Sequence, residues 1–408
     1  MANPFVGKKI VLGVTGSIAA YKAVDLASKL TQQGAIINTI LTSSALEFVS
    51  PLSFQSVSGQ KAFTEDDLWG GEGHVVHIEM GHSADLLLIA PASANTIAKL
   101  ANGIADNLLC VTALAASCPL VIAPAMDGGM YNHVATQTNI ATLKERGVLF
   151  IGPGEGHLAS GLSGPGRLEE NETIIGQLRF FLSRGNALAG KKIVVTAGGT
   201  QEAIDPVRVI TNRSSGKQGY ALAQAALDAG AQVTLISAPT SLNAPAGCEI
   251  VQVHSAAEMH SAVMDSIQDA HAVIMSAAVA DFTPLEKEAE KIKKDKPLTE
   301  IRLQPTRDIL KEVHQVKKKK NLDIKIIGFA AESQNLTENA ARKLKEKGME
   351  MIAANDISKP QVGFGVDTNQ VTLIFADGSY EHLPLLSKIE VADKIIQHLV
   401  PWLTEGAA

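Results

Sequence analysis

The sequence predicts an α/β protein built from two Rossmann-like three-layer domains with mostly parallel sheets. Three observations predict it. A chain of 408 residues exceeds what one core usually serves, so two domains of roughly 200 residues are expected. Residues 7–16, GKKIVLGVTG, and 190–199, GKKIVVTAGG, each place a lysine pair before a short β-branched strand and a small-residue turn. Each turn leads into helical periodicity that ends at a glycine, and then into a second apolar strand, AIINTILT in the first half and AQVTLISA in the second. Strand, helix, strand, with apolar strands that do not alternate, is the pattern of a parallel sheet covered on both faces. The domains are expected over 1–185 and 190–408, joined near SRGNALAG at 183–190.

Composition narrows the function classes. Hydrophobic residues make up 46% and charged residues 19%, which describes a folded globular chain and excludes a disordered or fibrous one. A net charge of -6 gives no reason to expect nucleic acid or an anionic membrane as partner, so an anionic ligand must be held by local charges. The opening MANPFVGKKIVLGVTG lacks a secretory pattern and no apolar run reaches bilayer length, so a cytoplasmic protein is expected. Cys110, Cys118 and Cys248 form no CxxC pair, lie in or beside apolar segments, and read as reduced core residues.

In parallel α/β sheets ligands sit beyond the carboxyl ends of the strands, so the loops after strands carry the argument. GVTGSIAAYK puts Gly16 and Ser17 before a helix whose amides can receive a phosphate, although neither GxGxxG nor a Walker A motif is present. Residues 90–109 follow the strand ADLLLI and offer Ser93, Asn95 and Thr96 as small donors. LVIAPAMDGGMYNH at 120–133 places Asp127 between two methionines and two glycines. PGEGHLASGLSGPGRL at 153–168 is glycine-rich and reads as a mobile lid. His74 and His77 form a His-x-x-His pair with no further ligands nearby in sequence, and a metal is not expected there.

GSIAAYK, HIEM, PASANT, PAMDGGMY and SGPGRL together resemble the flavin-dependent cysteine decarboxylases. The resemblance implies FMN held between subunits of a homotrimer, its phosphate near Gly16, Ser17 and Thr42 and its ring near Ser93, Asn95 and Thr96. It makes His77 catalytic. Two positions depart from the family: Asp127 stands for an asparagine and Ser160 for a lid cysteine. An ionised aspartate only accepts hydrogen bonds and repels a substrate carboxylate, so either Asp127 is protonated, its pKa raised beside that second carboxylate, or the substrate carboxylate is bound differently; Ser160 or the nearby Ser163 is expected to relay a proton through water. The alternative is a first half that is impaired as a decarboxylase or only binds flavin.

In the second half, SSGKQG lacks the Ser or Thr of a Walker A motif, Gln218 standing in its place. DPVRVITNRSSG, SAAVADF, EKIKK, TRDIL, GFAAES and NAARKLKEKG resemble phosphopantothenate–cysteine ligases, and the order of halves is that of the fused bacterial coenzyme A biosynthetic proteins. This implies CTP-dependent ligation of cysteine to 4'-phosphopantothenate through an acyl-cytidylate, and ligase domains that dimerise. Asn212 and Lys291 become catalytic, with Arg208 close to the acyl group. Asp281, Lys291, Phe329, Lys343 and Lys347 fall on nucleotide positions beside Arg307, Asp308, Ile309 and Leu310. Lys343 and Lys347 are four apart and share a helix face. Magnesium is expected with the triphosphate. VKKKKN at 316–321 reads as a solvated face.

Overall fold

A computed structural model describes residues 3–69, 75–293, 300–332, 336–356 and 365–404. The chain divides into two compact units, one ending at Leu182 and the other beginning at Ser183.

The first unit is built on six parallel strands: β1 (Lys9–Val14), β2 (Ile36–Leu41), β3 (Ala62–Phe63), β4 (Leu86–Ala92), β5 (Leu120–Pro124) and β6 (Leu149–Phe150). Their order in the sheet is 3-2-1-4-5-6, so the chain reverses its direction of travel between β1 and β4. β4 is buried at every residue, as its run LLLIAPA requires of a central strand covered twice. Leu86, Leu88 and Ala90 pack with Leu12 and Leu26 on one face, whereas Leu87 and Ile89 pack with Ile97 and Leu109 on the other. The stretch read as a lid contains an antiparallel hairpin, β7 (Gly154–His157) and β8 (Ser163–Arg167), several of whose glycines take backbone angles that side chains avoid. At Gly166, φ is +134°, and a Cβ there would lie 2.2 Å from the Met126 carbonyl oxygen.

The second unit repeats the plan and extends it. β9 (Lys192–Ala197), β12 (Gln232–Ser237), β13 (Glu249–Gln252), β14 (Ala272–Met275), β17 (Lys325–Glu332) and β18 (Met351–Asp356) are parallel, with β20 (Val371–Phe375) and β21 (Tyr380–His382) added antiparallel. The order β13-β12-β9-β14-β17-β18-β20-β21 again reverses beside the first strand of the unit, between β9 and β14. Two small antiparallel ribbons stand apart from this sheet: β10 (Gln201–Ala203) with β11 (Val209–Thr211), and β15 (Phe282–Pro284) with β16 (Leu303–Pro305). A third joins β19 (Thr368–Asn369) to β22 (Leu386–Ser387).

The cysteines are free thiols, but only Cys110 is a core residue as expected; Cys118 and Cys248 are half-buried. Burial pushes the Cys110 and Cys248 thiols up to about 11, which keeps them protonated and unreactive. The lysine run 317–320 is largely exposed, except that Lys317 is half-buried against Glu350 at 2.5 Å. Among the described residues no helix is long and apolar enough to cross a membrane.

Leu88 is fully buried where β4 is clasped by β1 and β5. Leu88→Ala is expected to destabilise the first unit by about 3 kcal/mol. Hydrogen exchange under increasing urea, followed by mass spectrometry, reads this as faster exchange of β1, β4 and β5 amides, with β9 and β14 unchanged.

Candidate functional sites

Each unit has a cleft at the strand ends where its sheet changes direction. In the first, Gly16 and Ser17 follow β1, Ser93 and Ala94 follow β4, and Met126 and Asp127 follow β5. With Leu158, Ala159 and Ser160 from the hairpin they line a cleft of about 560 Å³. Thr15 fastens two of these loops together: its hydroxyl donates to the Pro91 carbonyl at 2.8 Å and accepts from the Ser93 amide at 2.9 Å. Ser93 in turn caps the helix Ala94–Asn102 by accepting from the Thr96 amide. Gly16 lies so close to Ser44 that a Cβ would meet the Ser44 Cβ at 2.5 Å, which brings the loops after β1 and β2 together.

Gly16, Ser17, Ser93, Asp127 and Ser160 line this cleft. Thr42 is buried at the end of β2, where its amide donates to Val14; Thr96 is buried and Asn95 exposed on the helix Ala94–Asn102, and none of the three lines the cleft. His77 begins the helix Val76–Ser83, also outside the lining. Its Nδ1 is buried and makes no hydrogen bond among the described residues. His74 lies outside the described residues, and no group of three metal-binding side chains occurs among those described. Arg167 and Lys22 also line the cleft. Neither is among the residues that the sequence singles out, and for Arg167 the available signal is its place in SGPGRL.

The expectation of a neutral Asp127 is corrected. Asp127 caps the short helix Gly128–Asn132, accepting from the Gly129 amide at 2.8 Å and from the Ser160 hydroxyl at 2.6 Å. These donors, Ser160 first, hold its carboxyl below the usual range, and burial opposes them only weakly. The two positions that depart from the decarboxylase pattern therefore form one hydrogen-bonded pair. A lowered folded pKa favours the fold above the unfolded value of about 3.9, and that contribution disappears as pH falls through the folded value.

The second cleft, also about 560 Å³, collects residues 214–219, 275–281 and 306–310, with Asn212, Phe329, Lys343 and Lys347. The Asn212 amide donates to the Val279 carbonyl at 3.0 Å, which ties the loop after β11 to the loop after β14. Thr306 holds the same loop, donating from its hydroxyl to Ala280 and from its amide to Asp281. Asp308 caps the helix Ile309–Lys320 and accepts from Lys347 at 3.1 Å, so Lys343 and Lys347 on the helix Leu336–Lys347 are turned to the cleft together. Asp281, Arg307, Asp308, Ile309 and Leu310 complete this side.

Arg208 and Lys291 do not line this cleft. Both are exposed; Arg208 and the backbone of Ile292, the residue after Lys291, are tied together through Asp205, whose side chain is fully buried. Asp205 accepts from Arg208 Nη1 at 2.9 Å and from the Ile292 amide at 3.2 Å, while Arg208 Nη2 donates to the Ile292 carbonyl at 3.3 Å. Burial pushes the Asp205 carboxyl up, but the amides of Val207, Ile292 and Arg208 outweigh it and leave the group ionised. Ser214–Gly219, Asn355, Asn369 and Lys388 also line the cleft, and of these the sequence singles out only the run SSGKQG at 214–219. SSGK ahead of a helix was the available signal, set aside when its match to Walker A failed.

Two Rossmann-like halves, one with a glycine-lined, largely apolar cleft and one with a cationic cleft, define a two-site enzyme. The comparisons agree half by half. Residues 3–182 match the family described as Flavoprotein, and residues 188–402 match the DNA/pantothenate metabolism flavoprotein C-terminal domain. The chain is 47% identical over 395 residues to the coenzyme A biosynthesis bifunctional protein CoaBC of Bacillus subtilis, covering 96% of both chains. It is 42% identical to the protein of that name from Vibrio cholerae, covering 97% of this chain and 98% of that one. A crystal structure of the C-terminal domain of a CoaBC protein is 43% identical, covering 54% of this chain and all of that one, with a TM-score of 0.46. The chain belongs to the bifunctional coenzyme A biosynthesis family and is an enzyme with a ligase half and a decarboxylase half.

The first cleft fits a flavin. Gly16 lets backbone approach closely, and Ile18, Phe48, Met126, Met130 and Leu158 offer apolar surface for a ring.

Ser160→Ala removes the first of the two donors to Asp127. The Asp127 carboxyl, followed by carbon-13 NMR, is expected to titrate at higher pH than in the parent chain, still as a single step.

Proposed function

We propose that the second half joins L-cysteine to 4'-phosphopantothenate at the expense of CTP through an acyl-cytidylate, and that the first half, with FMN, decarboxylates the product to 4'-phosphopantetheine. The observation that carries the ligase reading is one cleft at the reversal of the second sheet that gathers Asn212, Asp281, Arg307, Phe329, Lys343 and Lys347. An acyl-cytidylate forms when the substrate carboxylate displaces pyrophosphate from CTP, and the cysteine amine then displaces CMP. The cations Arg307, Lys343 and Lys347 offset polyphosphate charge, and the amides of Ile309 and Leu310 open a helix toward it. The Asn212 amide, held in place by Val279, suits the acyl oxygen that gains charge as the amine attacks. Arg208, paired with Asp205, and Lys291 would act from outside the cleft lining. Magnesium would travel with the triphosphate and needs few protein ligands.

In the first half, bound FMN supplies the two-electron oxidation of the substrate thiol. Gly16 and Ser17 would take its phosphate and Ser93 its ring, whereas Thr42, Asn95 and Thr96 stand outside the cleft that would hold it. His77 serves as the proton-transferring group. Its placement outside the cleft of its own chain, with Nδ1 buried and unpaired among the described residues, supports a site completed by a neighbouring copy. Exposed Leu52, Leu114 and Val134 supply apolar surface for a trimer. Val207, Val209, Phe282, Leu285 and Leu303 do the same on the ribbons of the second half, where the dimer would form. A cytoplasmic location accords with this chemistry.

The ionised Asp127–Ser160 pair favours one alternative. A carboxylate facing a substrate carboxylate repels it, and a first half so built binds flavin but turns over poorly.

The test is mass spectrometry of the products from FMN-loaded protein given 4'-phosphopantothenate, cysteine, CTP and magnesium without oxygen. 4'-Phosphopantetheine is expected. Accumulation of 4'-phosphopantothenoylcysteine alone would select the impaired first half, and no adduct at all would overturn the ligase reading. Lys291→Gln is expected to lower adduct formation at least about tenfold, the scale of one lost charge-assisted contact.

A further inference from the structure

The segment that carries Lys291 has no regular structure of its own: residues 285–293 follow β15 without helix or strand. Among the described residues, every hydrogen bond made by residues 286–293 goes to one turn, 204–208, which joins β10 to β11. The Glu288 amide donates to the Ile204 carbonyl at 3.0 Å, the Ile292 amide to the Asp205 carboxylate at 3.2 Å, and Arg208 Nη2 to the Ile292 carbonyl at 3.3 Å. These bonds bracket Lys291 on both sides.

Asp205 divides its two oxygens between two tasks. Oδ1 accepts from the amides of Val207 and Arg208, both at 2.8 Å, and so closes the turn. Oδ2 accepts from the Ile292 amide and, at 2.9 Å, from Arg208 Nη1, and so grips the segment both directly and through the guanidinium. The side chain is fully buried, a place that an ionised carboxylate keeps only when its lone pairs are used. From the same turn β11 runs to Asn212, which lines the cleft and is bonded to Val279. One turn therefore sets the backbone of Lys291 relative to the strand that delivers Asn212.

We infer that Asp205 is a positioning residue of the ligase, which fixes the backbone that presents Lys291 through the bond from the Ile292 amide to Oδ2. The inference rests on the role proposed above for Lys291.

The experiment compares the full-length parent with Asp205→Asn, Asp205→Ser and Lys291→Gln, and with each Asp205 variant combined with Lys291→Gln. Asparagine keeps the shape. With its carbonyl oxygen on the turn amides, its NH2 meets the Ile292 amide and Arg208, donor against donor. Serine keeps an acceptor for the turn amides and is too short to reach Ile292. In both variants hydrogen exchange over 286–293 is expected to quicken at least about tenfold, with the β9 and β14 amides unchanged. Either single variant is expected to lower kcat/KM for adduct formation about tenfold or more. Added to Lys291→Gln, either is expected to cost less than about twofold further, because a residue that acts through Lys291 then has nothing to act on.

Losses that multiply in the double variants would overturn the inference, as would parental rates in both single Asp205 variants. Exchange that stays unchanged over 286–293, or that quickens throughout the second unit, would overturn it as well. If the parent itself does not ligate, the reaction has been misread, and the tie is then judged on hydrogen exchange alone by the same outcomes.

Discussion

The reversal of winding in each parallel sheet is the constraint on which everything else depends. Crossovers leaving β1 and β4 in one half, and β9 and β14 in the other, go to opposite sides of the sheet, so a crevice opens between neighbouring strand ends. No side chain has to be carved away to make it. The strands themselves are apolar and buried, so the polar groups that do chemistry collect in the loops beyond their carboxyl ends.

The two halves furnish that crevice differently. The first roofs it with a hairpin whose Gly166 touches the Met126 backbone, and lines it with methionine, leucine and phenylalanine around a few hydroxyls. Such a lining suits a planar ring and excludes water. The second leaves the crevice polar and surrounds it with lysines on three helices, Lys217–Asp228, Leu336–Lys347 and Lys388–Thr404. Its loops are locked to each other by short side-chain bonds from Asn212, Thr306 and Asp205, so charged groups are held in place before substrate arrives.

Much of this was legible in the sequence, and the failures have physical causes. The strand–helix–strand repeats and their small-residue turns announced both sheets, since burial on two faces and a left-handed cap leave clear residue signatures. Asp281, Phe329, Lys343 and Lys347 were placed in one cleft by motif, and the fold brings them there. Asp127 was read alone; its partner Ser160 is distant in sequence and becomes a neighbour only when the hairpin folds over, so the direction of its pKa could not be read from the loop. Lys388 was invisible for the same reason. It opens the last helix, far along the chain from SSGK, and only the packing of two helices puts it beside Lys217. Within the glycine-rich stretch 153–168 the pairing of two short strands was not legible, because glycine marks unusual backbone angles without saying which strands they join.

Lys347 bears on how the ligase cleft will respond to its ligands. Its ammonium is already engaged with Asp308, the residue that caps the helix Ile309–Lys320. A polyphosphate that takes Lys347 does so by exchange with a carboxylate, so the affinity gained is a difference between two ion pairs. Occupancy also frees Asp308 to act only as a cap. Binding at the cleft and the firmness of one helix end are thereby parts of a single equilibrium, and salt, which weakens both pairs, shifts it less than it would shift capture by an unengaged lysine.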